Sequence, residues 1–132
     1  MMTHTLGVSL QSPSGQISAN YTATGDSNLE LNLTIAPAAS KAETDMVLVA
    51  TSGSSGVQSI FLLATAAMVV HGNSVAGGWL TGNDKNVITL AANTPYEWIT
   101  GQGTSPITAS WAAIYVDSTP GGTLQIRVLQ GQ

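Results

Sequence analysis

The chain has 132 residues, of which seven are Asp or Glu and three are Lys or Arg. Charged residues make up 8% of it, far below the roughly 25% that is usual for soluble domains, whereas the hydrophobic share of 43% is ordinary. A net charge of −4 with three scattered cations leaves no basic surface for nucleic acid or an anionic membrane, and the absence of Cys excludes disulfides and thiolate chemistry.

The length predicts a single domain over residues 1–132. The first seven residues contain no basic residue and no apolar run, so we expect synthesis in the host cytoplasm without a signal peptide. The most apolar stretch, residues 60–70, is shorter than the roughly 18–20 residues that span a bilayer, and no membrane association is expected.

Alternation of apolar and polar residues with a period of two is the main pattern along the chain. Residues 29–35 carry Leu or Ile at every odd position, which predicts a strand with one buried face and Glu30 in water. The same alternation occurs at residues 6–10, more weakly at 17–23, and again at 124–128. Further strands are predicted at 46–49, 59–63, 68–70, 87–90, 96–99 and 107–116, the first two of them covered on both faces.

Turns rich in Gly, Ser, Asn and Pro separate these segments at short intervals. The only helix candidate is the sequence AASKAETD at 38–45, at most two turns long. The predicted fold class is therefore all-β: one antiparallel β-sandwich, jelly-roll-like, with about 8–10 short strands. Residues 1–10 are predicted to form an N-terminal arm or an edge strand.

Sheet edges are a second consequence of this fold class. Natural sandwiches protect their edge strands with Lys, Pro or bulges, and this chain has two Lys. We therefore expect its edges to be covered by another subunit or by a host surface.

No residue pattern indicates catalysis, a metal or a cofactor. His4 and His71 are present, but the Gly-x-Ser-x-Gly turn of a nucleophilic serine is missing. Asp26, Asp84 and Asp117 fall in predicted turns, where Asp commonly caps its own backbone, and this also explains residues 26–28 and 83–86 better than calcium binding does.

The aromatic residues divide into two groups. Phe61, Trp111 and Tyr115 belong to strongly apolar segments and are predicted core residues. Trp79 is predicted on a loop, where it either packs over the end of the sandwich or stacks on a ligand. The candidate ligand platform or partner interface consists of His4, Trp79, Tyr96 and Trp98.

The C-terminal third carries four segments in a characteristic order: VITLAANTPYEW at 87–98, SPITA at 105–109, AIYVD at 113–117 and GTLQIRVL at 122–129. Together they resemble a group of small tailed-phage and prophage proteins, in which Gly often stands at the position of Asn93. The opening residues 5–10 and the Gly25-Asp26 pair resemble the same proteins more weakly. The similarity covers roughly residues 85–129, rests on strand and turn residues, and carries no catalytic motif.

The resemblance implies a virion structural protein, most similar to capsid decoration (cement) proteins. Such proteins are compact β-sandwiches or jelly rolls, often trimers, that clamp the major capsid protein from outside. The expectation is therefore a non-enzymatic homotrimer on the capsid exterior, with the major capsid protein as its partner. The alternative is a carbohydrate-binding or tail-tip adhesin module, in which Trp79, Tyr96 and Trp98 form an exposed platform.

Overall fold

The structure, a computed structural model, describes residues 1–37, 39–48 and 56–131. Within them it contains a short 3-10 helix at Thr81–Asn83 and ten strands. The strands are β1 (Met2–Ser12), β2 (Gly15–Gly25), β3 (Ser27–Ile35), β4 (Ala39–Leu48), β5 (Val57–Ala64), β6 (Met68–Asn73), β7 (Asp84–Leu90), β8 (Tyr96–Ile99), β9 (Trp111–Ser118) and β10 (Gly122–Gln130).

Eight of these strands form two four-stranded antiparallel sheets packed into a sandwich. The first sheet has the order β3-β10-β5-β8, and the second has the order β4-β9-β6-β7. The pairing is nested, because β3 pairs with β10, β4 with β9, β5 with β8 and β6 with β7. The strands β1 and β2 lie outside this arrangement and pair with each other as a long hairpin. The all-β antiparallel sandwich predicted from the sequence is thus confirmed.

The core lies between the two sheets and is built from the inward side of each alternating strand. Leu29, Leu31, Leu33 and Ile35 of β3 all contact it, as their spacing predicted, while Glu30 is exposed. The largest side chains that are almost completely buried come from both sheets: Met46, Leu48, Ile60, Leu62, Met68, Leu90, Ile114, Leu124 and Ile126.

The predicted helix at 38–45 is wrong. Ala38 lies outside the described residues, but Ala39–Leu48 is strand β4, which pairs with β9 from the Ala39–Ser118 pair to the Leu48–Trp111 pair. Ala, Lys and Glu are good helix formers, but intrinsic preference contributes little free energy per residue, and the burial of Met46 and Leu48 against the core outweighs it.

Three smaller expectations also change. Residues 46–48 belong to an edge strand and Val47 is 61% exposed, so this segment is not covered on both faces; Val49 lies outside the described residues. Phe61 is half-buried on the outer face of the first sheet instead of in the core. The strand predicted at 107–116 begins only at Trp111.

Two backbone positions explain local sequence choices. Asn93 has a φ of 56°, in the left-handed region that Gly and Asn tolerate best. Gly72 of β6 lies directly beneath the Trp111 indole, and a Cβ there would overlap the ring. Trp111 can therefore stay buried and donate from Nε1 to Asn86 Oδ1 at 2.8 Å.

Candidate functional site

The β1–β2 hairpin has two chemically different faces. Its register pairs Leu6 with Tyr21, Val8 with Ala19 and Leu10 with Ile17 on one face. The intervening pairs on the other face are all polar or glycine: Thr3–Thr24, Thr5–Thr22, Gly7–Asn20, Ser9–Ser18 and Gln11–Gln16. This face of the hairpin is therefore apolar from the Leu6–Tyr21 pair to the Leu10–Ile17 pair, with His4 on the same face nearer the base.

The base of the hairpin is anchored on the outer face of the first sheet. Leu6, Tyr21 and Ala23 pack with Ile99 and Leu129 in a small second core. A backbone hydrogen bond from the Asp26 N–H to the Gln130 carbonyl, 2.9 Å long, fixes the corner where β2 leads into β3.

His4 ties the hairpin to the same sheet through its side chain. Its Nδ1 lies 2.7 Å from Ser59 Oγ on β5, and its Nε2 lies 2.9 Å from Asn28 Oδ1 on β3. An amide oxygen accepts only and a hydroxyl both donates and accepts, so a neutral imidazole with its proton on Nε2 satisfies both contacts.

The outer half of the hairpin projects from this anchor. Each strand has 11 residues, about 36 Å at the usual strand rise. All residues at 7–11 and 13–20 are exposed, including Val8 (46%), Leu10 (64%) and Ile17 (73%). Residues 5–25 contain no charged side chain. The projecting half therefore presents uncharged aliphatic surface to water.

A groove of about 330 Å³ lies beside the anchor, between β1 and the outer face of the first sheet. Its floor includes one row of paired residues across the four strands, in the order Glu30, Arg127, Phe61 and Glu97. Arg127 Nε lies 3.9 Å from Glu30 Oε2. The aromatic ring thus lies in a row with one cation and two carboxylates.

The two acidic residues of this row lie on the two edge strands of the first sheet. Glu30 and Glu97 lie on strands three spacings apart, about 14 Å between backbones. The groove therefore has the composition of a binding surface for a polar ligand.

A second polar cluster lies on the outer face of the other sheet, around His71 of β6. His71 Nδ1 is 3.0 Å from Asp84 Oδ2, and His71 Nε2 is 2.8 Å from Asp117 Oδ2. Trp79 donates from Nε1 to Asp84 Oδ1 at 2.8 Å and stacks edge-on against the imidazole, with 5.1 Å between ring centroids. Asn73 also donates to Asp84 Oδ1, at 3.0 Å.

These contacts set the ionisation of Asp84. Burial alone raises the pKa of its carboxyl, but the hydrogen bonds from Trp79, Asn73 and His71, together with the charge of His71, outweigh burial and lower the pKa below its ordinary value of 3.8. The carboxylate is thereby held ionised as the acceptor that fastens the 74–80 loop over the sheet.

This cluster fastens the 74–80 loop to the second sheet. The Gly77 N–H donates to Glu43 and the Asn73 amide donates to the Leu80 carbonyl, so the loop is fixed at both ends of Trp79. The two carboxylates bind opposite nitrogens of one ring and cannot converge on a single ion with it. Across the described residues, no group of three or more His, Cys, Asp or Glu side chains is placed to hold a metal.

The predicted site residues do not form one surface. His4 and Trp98 both line the groove. Tyr96 and Trp98 pack against the main core from the inward side of β8, and burial raises the pKa of the Tyr96 hydroxyl. Trp79 lies on the outer face of the opposite sheet with His71, so the predicted platform of Trp79, Tyr96 and Trp98 is not assembled.

Neither the row of Glu30, Arg127, Phe61 and Glu97 in the groove nor the cluster around His71 is predicted from the sequence. The sequence pattern placed Asp84 and Asp117 in turns, but Asp84 begins β7 and Asp117 lies within β9. Phe61 was assigned to the core, although its position between Ile60 and Leu62 places it on the opposite face of β5. Alternation identifies such outward residues, but it does not say which strands lie side by side.

Comparison of the chain with protein-family models, with curated proteins and with solved structures found no match. Among the residues that the structure describes, no helix has the length and apolar character needed to cross a membrane. A functional proposal for this chain therefore depends on the geometry of the hairpin, the groove and the loop, together with the sequence resemblance.

Proposed function

We propose that this chain is a non-enzymatic structural protein of a tailed-phage virion, a capsid decoration protein that binds the outer surface of the major capsid shell and stabilises it. The observation that carries the proposal is the β1–β2 hairpin, which extends an uncharged aliphatic face away from the sandwich. Apolar surface that is exposed in this way is typical of sites that contact another protein.

The strand order supports the jelly-roll part of the proposal. Pairing the first sandwich strand with the last, the second with the second-last, and so on inward, is the arrangement of two Greek keys rolled into one sandwich. Viral capsid domains are among the proteins built in this way, although lectin domains share the fold, and fold alone does not assign a function.

The backbone at Asn93 supports the resemblance to tailed-phage proteins. Those proteins often carry Gly at this position, and Asn93 has the positive φ that favours Gly or Asn. The positive φ at this turn therefore explains why Gly or Asn occupies the position.

The charge distribution fits a role on a shell. Contacts between copies that are formed by a hairpin without charged side chains depend on apolar burial and hydrogen bonds, so salt screens them weakly. In a homotrimer, several modest contacts act together, and their combined affinity greatly exceeds that of one.

The proposal is tested with expanded capsids assembled from the major capsid protein of the same genome and lacking this chain. We expect the purified chain to cosediment with these capsids and to raise their melting temperature. Leu10→Asp should weaken both effects, and the matched variant Ser9→Asp, on the polar face of the same strand, should retain more of them. Failure of the unaltered chain to cosediment overturns the proposal.

A second candidate function is carbohydrate binding in an adhesin, and the groove favours it. Phe61 offers a ring on which a sugar can stack, and Glu30, Glu97 and Arg127 offer hydrogen-bond partners along the same row. A glycan array tests this function directly. Binding should be lost in Phe61→Ala and retained in Leu63→Ala, which alters the same face of β5 outside the groove; the absence of any glycan bound by the unaltered chain contradicts it.

A further inference from the structure

The apolar face of the hairpin continues without interruption from a buried region to an exposed one. At the base, Leu6 and Tyr21 pack against the small second core. The next two pairs toward the tip, Val8–Ala19 and Leu10–Ile17, lie on the same face and are open to solvent. The sheet that covers the base thus leaves the outer half of the same apolar stripe uncovered.

The hairpin also has two strand edges without backbone hydrogen bonds to a neighbouring strand in the described chain. The strands β1 and β2 form a two-stranded sheet of their own, so each has one edge that is unpaired within the described chain. A two-stranded sheet is marginally stable in water, and an unpaired edge is a template for another strand. A surface that packs against the outer half would therefore bury aliphatic area and order the projecting strands.

The distribution of charge along the chain indicates which partner suits the exposed apolar stripe of the hairpin. Every Asp, Glu, Lys and Arg lies at position 26 or beyond, and together they give a net charge of −4. Two copies that meet through their sandwiches bring like net charges together, whereas two copies that meet through residues 5–25 bring together only neutral groups. The hairpin of a second copy is thus a partner that matches the exposed stripe in polarity and avoids repulsion.

The groove of a second copy is the poorer partner. Glu30 and Glu97 line it, and seating aliphatic side chains there would remove carboxylates from water without a compensating hydrogen bond.

We propose that the hairpins of two or more copies pack together through their apolar faces, with Val8, Leu10 and Ile17 buried at the contact. The inference deepens the proposed function by naming the surface through which a decoration protein would form its oligomer. The hairpin is then the assembly element, and the sandwich is the body that it joins to other copies.

Cysteine cross-linking tests this contact, because the chain has no Cys of its own. Leu10→Cys places one thiol on the apolar face near the tip, and Ser9→Cys places one on the polar face of the adjacent position. Under mild oxidation at micromolar concentration, Leu10→Cys should form a covalent dimer rapidly and Ser9→Cys slowly. Equal rates for the two variants overturn the proposal.

Sedimentation of the unmodified chain gives a second readout. We expect an oligomer that persists in molar salt, and a monomer with an unchanged far-ultraviolet circular dichroism spectrum for the double variant Leu10→Asp/Ile17→Asp. A wild-type chain that is monomeric at high micromolar concentration overturns the inference, and so does an oligomer that the double variant leaves intact.

The two proposals fail in different ways. A chain that assembles through its hairpin but does not bind expanded capsids contradicts the decoration function and leaves the assembly contact standing. A chain that stabilises capsids while Leu10→Cys shows no preferential cross-linking contradicts the assembly contact alone.

Discussion

The two histidines of the chain perform the same structural task on opposite faces of the sandwich, with different partners. His4 joins the N-terminal hairpin to the first sheet through the neutral side chains of Ser59 and Asn28. His71 joins three strands of the second sheet through the carboxylates of Asp84 and Asp117. The hairpin is therefore attached through uncharged partner side chains, whereas the 74–80 loop is attached through a carboxylate.

The partners determine what each histidine must donate. Carboxylate oxygens only accept, so in each of these contacts that is a hydrogen bond the His71 ring nitrogen is the donor. His4 needs a single proton for its two contacts. Attachment of the loop thus depends on hydrogen bonds to the Asp84 carboxylate, while attachment of the hairpin depends mainly on packing of Leu6, Tyr21 and Ala23.

Replacing the His71 bridge between Asp84 and Asp117 should have the largest effect on stability. His71→Leu leaves Asp84 and Asp117 facing an apolar side chain, and we expect the free energy of unfolding to fall by about 2–3 kcal/mol. The matched variant His4→Leu removes two neutral hydrogen bonds and should lower it by about 1 kcal/mol. Urea unfolding of both variants at neutral pH measures the difference. A larger loss for His4→Leu would contradict the comparison.

Removing packing at the hairpin base should have an intermediate effect. Leu6→Ala deletes part of the half-buried contact with Ile99 and Leu129, and we expect a loss of about 1–2 kcal/mol, less than for a fully buried Leu. Amide hydrogen exchange should accelerate in β1 and β2 and stay unchanged in β6 and β7. The exposed variant Val8→Ala serves as the control, and it should leave monomer stability within about 0.5 kcal/mol. Accelerated exchange throughout the sandwich would show that the hairpin is not a separate unit.

Much of the fold follows from local alternation in the sequence. The segment 29–35 has one apolar side, and that side faces the core in the structure. The pattern fails at β4, where Ala, Lys and Glu indicate a helix and the pairing with β9 produces a strand. Pairing with a distant strand determines the conformation of such a segment, and the residues of the segment itself do not indicate that pairing.

The groove row and the cluster around His71 can be predicted only when the order of the strands in each sheet is known. Asp117 and Asp84 are separated by more than thirty residues in sequence, and they meet at His71 only because β6 lies between β9 and β7. The sequence predicts residues 1–10 as an arm or an edge strand, but it does not predict the hairpin with β2 or how much of its apolar face is exposed. Alternation at residues 6–10 predicts an apolar face. Only the three-dimensional structure shows that the first sheet covers Leu6 at the base of this face and leaves Val8 and Leu10 exposed.

The pH dependence of Asp84 should give the smallest effect. Its folded-state pKa lies below the ordinary value of 3.8, so its interactions stabilise the fold fully above that value and are lost as the pH falls through the lowered pKa. Asp84→Asn keeps an acceptor for the Trp79 indole but removes the charge, and it should lower the free energy of unfolding by about 1 kcal/mol at neutral pH. In urea titrations between about pH 7 and pH 2.5, that difference should shrink only toward the acid end. A difference that stays constant, or grows on acidification, would contradict the assignment of Asp84 as the ionised anchor of the loop.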